Sequence, residues 1–154
     1  MITNDDKTVL ILNGLIRTLH DSDKGFQAAA DAVNKADLIE LFAGYSVQRA
    51  KFAEELKQRV KTLRAEPAKD DLPGGALHRG WMDLRAAIES NQTHAILAEC
   101  ERGEDVTVAA YREAIRSTDL DLQTRKIVQR HYELIQAAHD LIRQLRDGPK
   151  YAHR

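Results

Sequence analysis

Long apolar stripes at helical spacing run through most of this chain, and single polar residues interrupt them. The first stripe steps by three and four residues through Val9, Leu12, Ile16, Leu19, Phe26, Ala30 and Val33, with Asp23 as its break. That spacing keeps one face of a helix apolar along its length and predicts a helix over about 6–33. A second stripe, Leu38, Phe42, Tyr45, Phe52, Leu56, Val60 and Leu63, is broken by Arg49 and predicts a helix over 36–65. A third runs Leu97, Cys100, Val108, Tyr111 and Ile115 around Glu104, predicting 93–116. The last segment, 122–146, carries two adjoining stripes. Val128, Tyr132, Ile135 and Ile142 flank His139, while Ile127, Leu134, Ala138, Leu141 and Leu145 adjoin His131. A shorter stripe of Leu77, Trp81, Leu84 and Ile88 predicts a short helix over 76–89, with Trp81 as its anchor on the bundle.

Punctuation between the stripes sets the topology. Asn4, Asn91 and either Asp119 or Asp121 offer side-chain oxygens to unpaired helix-start donors, and Gly148-Pro149 marks a stop. The links around 34–35 and 117–121 are short, so each flanking pair of helices should form an antiparallel hairpin. The middle link is long. A helix over 6–33 is roughly 42 Å from end to end, and the segment 66–92 has enough chain to travel back that distance. Helices two and three are then parallel, as in an all-α four-helix bundle with a long crossover connection carrying a short helix. One domain is expected over 1–154, with the bundle at about 5–147 and a loosely held tail at 148–154.

Composition narrows the function classes. The 154 residues are 43% hydrophobic and 31% charged, which suits a single core, and 23 Lys+Arg against 24 Asp+Glu give a formal net charge of −1. No global field then draws the chain to nucleic acid. No apolar run approaches the roughly 18 residues of a membrane span, and no secretion signal is read at the start. One cysteine, Cys100, excludes an internal disulfide and fits a cytoplasmic location; in the third stripe it reads as a small core residue. Serine–base pairs and glycine-rich nucleotide fingerprints are missing, so catalysis is not the leading expectation.

The candidate chemistry lies in the breaks. The first hairpin brings Asp23 near Arg49, and the second brings Glu101 or Glu104 near His139. In the crossover topology Asp23, Arg49, Glu104 and Gln136 also share a depth. One reading is a set of buried ion pairs that fix helix register. The other is a carboxylate and imidazole site for iron or manganese. Arg49 weighs against a cation in its own pocket, because a guanidinium keeps its charge. His20, His78, His94 and His153 read as surface residues, and His131 as a half-buried seam residue.

Several stretches carry a resemblance: LNGLIRTLHDSDKGF (12–26), RAKFAEELKQ (49–58), GALHRGWMDLRAAI (75–88), ECERGEDVTVAAYREAI (99–115) and AAHDLIRQLRD (137–147). In these the chain resembles a ferritin-like family of small, uncharacterised bacterial proteins of unknown function. Metal-binding members of the wider superfamily place Glu, Glu-x-x-His, Glu and Glu-x-x-His on successive helices. Here Asp23 stands for the first Glu, Glu101 or Glu104 serves the third helix, and the fourth reads Gln136-Ala137-Ala138-His139. Helix two offers Ser46-Val47-Gln48-Arg49, with neither ligand. The resemblance therefore implies a reduced metal site of Asp23, Glu101, Glu104, Gln136 and His139 in a non-catalytic bundle, with a stress-related role by fold analogy. The alternatives are an iron- or manganese-binding redox or storage protein, and a helical adaptor. A homodimer is the expected assembly.

Overall fold

Thr3 opens the first helix. In the computed structural model, which describes residues 2–69 and 79–152, its hydroxyl accepts the Asp6 N–H while Asp6 accepts the Thr3 N–H, both at 3.0 Å. This reciprocal cap begins α1 (Asn4–Ala32) one residue before the expected Asn4 cap. Helix α2 (Ala36–Thr62) ends earlier than its stripe predicts. There the Arg64 N–H bonds the Lys61 carbonyl and the Ala65 N–H the Val60 carbonyl, with Arg64 left-handed at φ 63°. Those bonds close a Schellman turn, a place where glycine is the usual residue.

The far part of the crossover holds a 3-10 turn at Arg79–Trp81 and α3 (Leu84–Glu89), and α4 (Thr93–Arg116) and α5 (Leu122–Asp147) follow it. The short helix expected over 76–89 is thus split at Met82-Asp83, and Leu77 lies outside the described residues. Asn91, with φ 57°, turns the chain between α3 and α4. It does so as a turn residue, because Gln92 holds the cap position and makes no side-chain cap bond. Asp121 caps α5 by accepting the Thr124 N–H at 2.7 Å.

Two apolar clusters establish the topology. One gathers Leu12 and Leu19 of α1, Phe52 and Leu56 of α2, Val108 and Tyr111 of α4, and Val128 and Ile135 of α5. The other holds Phe26, Phe42, Leu97, Cys100 and Ile142. The first halves of α2 and α4 therefore share one end of the molecule, so these helices run parallel and the intervening chain crosses its length. Helix α1 packs on α2 and α4, and α5 on α4 and α2. That leaves α2 and α4 diagonal to each other. Asn13 fastens the start of the crossover: its amide donates to the Glu66 carbonyl at 3.1 Å and accepts the Ala68 N–H at 2.8 Å.

Trp81 anchors the crossover's far end, as its stripe predicts. Its indole, 1% exposed, lies between α1 and α4 against Gly25 and Gly103. A Cβ on Gly25 would come within 2.2 Å of the ring and one on Gly103 within 2.3 Å, so both positions require the missing side chain. Phe26 meets the indole edge-on at 5.0 Å between centroids. The segment expected to hang loose after Gly148 is docked: Pro149–Tyr151 forms a 3-10 turn, and Tyr151 is buried. Its hydroxyl donates to Asp37 at the start of α2, as does Lys150 Nζ at 2.9 Å. The hydrogen bonds from Lys150 and Tyr151 bring the Asp37 carboxyl down to about 2.

Candidate functional site

The polar level between the two clusters divides into an interior ion pair and a cluster at the α4–α5 edge. In the interior, Arg49 Nη1 and Nη2 donate to the two Glu104 oxygens at 2.5 and 2.7 Å, and both side chains are 0% exposed. Nη1 also donates to Ser22 Oγ at 2.8 Å and Nε to Gln48 at 3.1 Å. The guanidinium lies over the Phe26 ring, 5.3 Å from its centroid. Asp23 is not its partner, contrary to the hairpin expectation. Half-buried, Asp23 accepts from Ser46 Oγ at 2.5 Å and from Gln27 at 2.8 Å. A long guanidinium side chain reaches across the bundle's diagonal, where a neighbour-only register does not look.

At the edge, His139 Nε2 lies 2.7 Å from Asp105 Oδ1 and 3.5 Å from Glu101 Oε1. One ligand atom from each of Glu101, Asp105 and His139 falls within a mutual distance of 4.8 Å. Glu101 and His139 are buried, and Asp105 opens to solvent. On its other side, His139 Nδ1 donates to Asp140 Oδ1 at 3.1 Å, and Gln136 donates to the same Asp140 oxygen at 3.0 Å. Burial disfavours a charged His139, but the bonds to Asp140 and Asp105 outweigh it and raise the imidazole above its ordinary value.

Of the five residues the sequence singles out, the fold thus brings only Glu101 and His139 together. Glu104 is taken by Arg49, Asp23 sits on the α1–α2 interface, and Gln136 supports Asp140 one step behind His139. Asp105 escapes a reading of the apolar seam because it lies off it. Its signal is the four-residue step from Glu101, which puts both carboxylates on one face of α4.

A second buried histidine makes a separate chain of contacts. His131, 0% exposed where a half-buried seam residue is expected, stacks on Phe52 with centroids 3.9 Å apart. Its Nε2 lies 2.7 Å from Glu55 and its Nδ1 3.0 Å from the Tyr111 hydroxyl. Burial lowers the His131 pKa and raises that of Tyr111. A neutral ring suits both partners, with Nε2–H donating to Glu55 and Nδ1 accepting the phenol proton. Burial likewise pushes the Cys100 thiol well up, as an inert core cysteine requires. His20 and His94 are half-buried, while His78 and His153 lie outside the described residues.

Comparison with known proteins places this geometry. Residues 7–117 match the family described as a domain of unknown function, DUF2383. The chain belongs to that family. Among solved structures, this DUF2383 protein is similar to a mutant of Mycobacterium smegmatis Dps1 at a TM-score of 0.73 and 17% identity, covering 94% of this chain and 97% of that one. The fold is ferritin-like. No curated protein matches the chain. None of the described helices is long and apolar enough to cross a membrane.

Donor chemistry decides what the polar level can hold. A dinuclear centre does not fit, because Arg49 fills the interior with fixed positive charge and already engages both Glu104 oxygens. One ion at the edge does fit. Two carboxylates and an imidazole suit a divalent first-row metal, and Asp140 orients His139 from behind as carboxylates do for histidine ligands.

Proposed function

We propose that this DUF2383 protein is a non-catalytic ferritin-like bundle that holds one divalent transition-metal ion, iron or manganese, between Glu101, Asp105 and His139. The convergence of three ligand atoms from those residues within 4.8 Å carries the reading. Bound there, such an ion would supply Lewis-acid or one-electron chemistry. The chain's own residues bind and orient: Glu101 and Asp105 bring negative charge from successive turns of α4, and Asp140, steadied by Gln136, aims the imidazole. The Arg49–Glu104 pair meanwhile sets the register of the four helices, with a fixed guanidinium where other bundles of this fold class can hold metal.

A cytoplasmic location belongs to the same reading and is supported by the single, buried Cys100. So does a homodimer, supported by exposed apolar side chains that include Leu10 and Leu122; native mass measurement tests it. For the metal, elemental analysis of protein purified without chelator is the test. The expected result is about one iron or manganese per chain, lost in His139→Ala. Metal-free wild-type protein that also takes up neither ion when it is supplied would overturn the reading.

A further inference from the structure

A fixed positive charge already sits on one of the proposed ligands. Arg146 Nη1 donates to Glu101 Oε2. Arg146 is itself held by Asp147, with Nε 2.8 Å from Oδ1 and Nη2 3.3 Å from Oδ2, so the guanidinium is clamped over Glu101 and does not sweep freely through solvent. Its side chain is only 26% exposed, which limits screening by water. Arg143 adds a second, more distant charge, its Nε 3.6 Å from Glu101 Oε1. An arginine keeps its proton at any physiological pH, so protonation does not clear this charge from the site.

We infer that Arg146, clamped by Asp147, is a resident cation that competes with a metal ion for Glu101 and sets how tightly the edge site binds. The inference rests on the metal-site reading above. Two like charges sharing one partly buried carboxylate repel, and each hydrogen bond from Arg146 occupies electron density that a metal would use. The arrangement makes Glu101 satisfied without metal, so the apo protein is stable and the ion has to displace a partner. Arg146 is a positioning and affinity-setting residue, not a ligand.

Calorimetric titration of Mn²⁺ into the full chain tests this, with Arg146→Gln and Arg146→Met as the variants and Arg130→Gln as a remote removal of the same charge. Arg130 bonds Glu55 and makes no contact with the edge site. Circular dichroism checks that each variant is folded. Both Arg146 variants are expected to bind Mn²⁺ about ten-fold more tightly than wild type, on the scale of one nearby charge, and Arg130→Gln to match wild type. Wild-type binding that is unchanged or weakened in both Arg146 variants overturns it and leaves the metal site standing. Equal tightening in Arg130→Gln also overturns it, because net charge alone would then suffice. Absence of Mn²⁺ binding in all four proteins overturns the site itself.

Discussion

Arg49 of α2 donates two hydrogen bonds to Glu104 of α4 across the diagonal of the bundle, with both side chains withdrawn from water. Arg49 is the central residue of α2 and Glu104 lies at the middle of α4, so the two meet at one level of the bundle. The pair is therefore a polar break at the mid-height of the core, between the two apolar clusters.

Arg49→Met leaves the Glu104 carboxylate buried without its partner and is expected to cost about 3–5 kcal/mol in urea unfolding. Arg49→Met combined with Glu104→Leu should recover most of that loss, because an apolar pair removes both desolvation penalties. A double variant as unstable as Arg49→Met alone would show that the pair contributes net stability over an apolar replacement.

Gly25→Ala or Gly103→Ala places a methyl against the Trp81 ring at contact distances of 2.2–2.3 Å. Either is expected to destabilise by about 1–3 kcal/mol and to shift tryptophan emission to the red as the indole leaves its slot. Gly44, in the interior of α2, is different: a methyl there would meet nothing within 4 Å. Gly44→Ala should therefore stabilise by about 0.5–1 kcal/mol.

Periodicity makes the helices legible, and link length makes the crossover legible, because both depend on local chemistry and chain reach. α4 carries the bounds 93–116 that its stripe predicts. The ends of α1 and α2 shift with hydrogen bonds that stripes do not report: the reciprocal Thr3–Asp6 cap and the Schellman turn at Arg64. Pairings are harder to read. An Asp23–Arg49 pair follows from hairpin neighbours alone, whereas a side chain as long as arginine can cross to a diagonal helix. Asp105 stands outside the apolar seam and so among no buried polar breaks, although Glu101 and Asp105 share a helix face. Tyr151 reads as tail because one aromatic residue after a Gly-Pro stop has no period; its burial depends on Asp37, distant in sequence.

The two buried histidines give stability opposite pH slopes. His131 has a lowered pKa, so its contribution is present above the unfolded value of 6.5 and is lost as pH falls through the folded one. His139 has a raised pKa, so its contribution is present below 6.5 and is lost as pH rises through the folded value. Urea unfolding of metal-free protein between about pH 5 and 8 should show His131→Gln removing stability mainly at the alkaline end. His139→Gln should remove it mainly at the acid end. Parallel shifts in the two variants would contradict the assignments.

Tyr151→Ala empties a buried aromatic site and frees Asp37, and should cost about 3 kcal/mol. Tyr151→Phe keeps the ring and loses one hydrogen bond to a carboxylate, so a cost of about 1–2 kcal/mol is expected. Thermal unfolding of the two variants side by side separates packing from hydrogen bonding at this contact.

Anomalous scattering from crystals grown with Mn²⁺ tests the central claim most directly, because it locates each ion among the side chains. A single peak per chain bounded by Glu101, Asp105 and His139, with Arg49 still paired to Glu104, is the predicted result. A peak in the interior between Asp23 and Glu104, or two peaks a few ångströms apart, would contradict it.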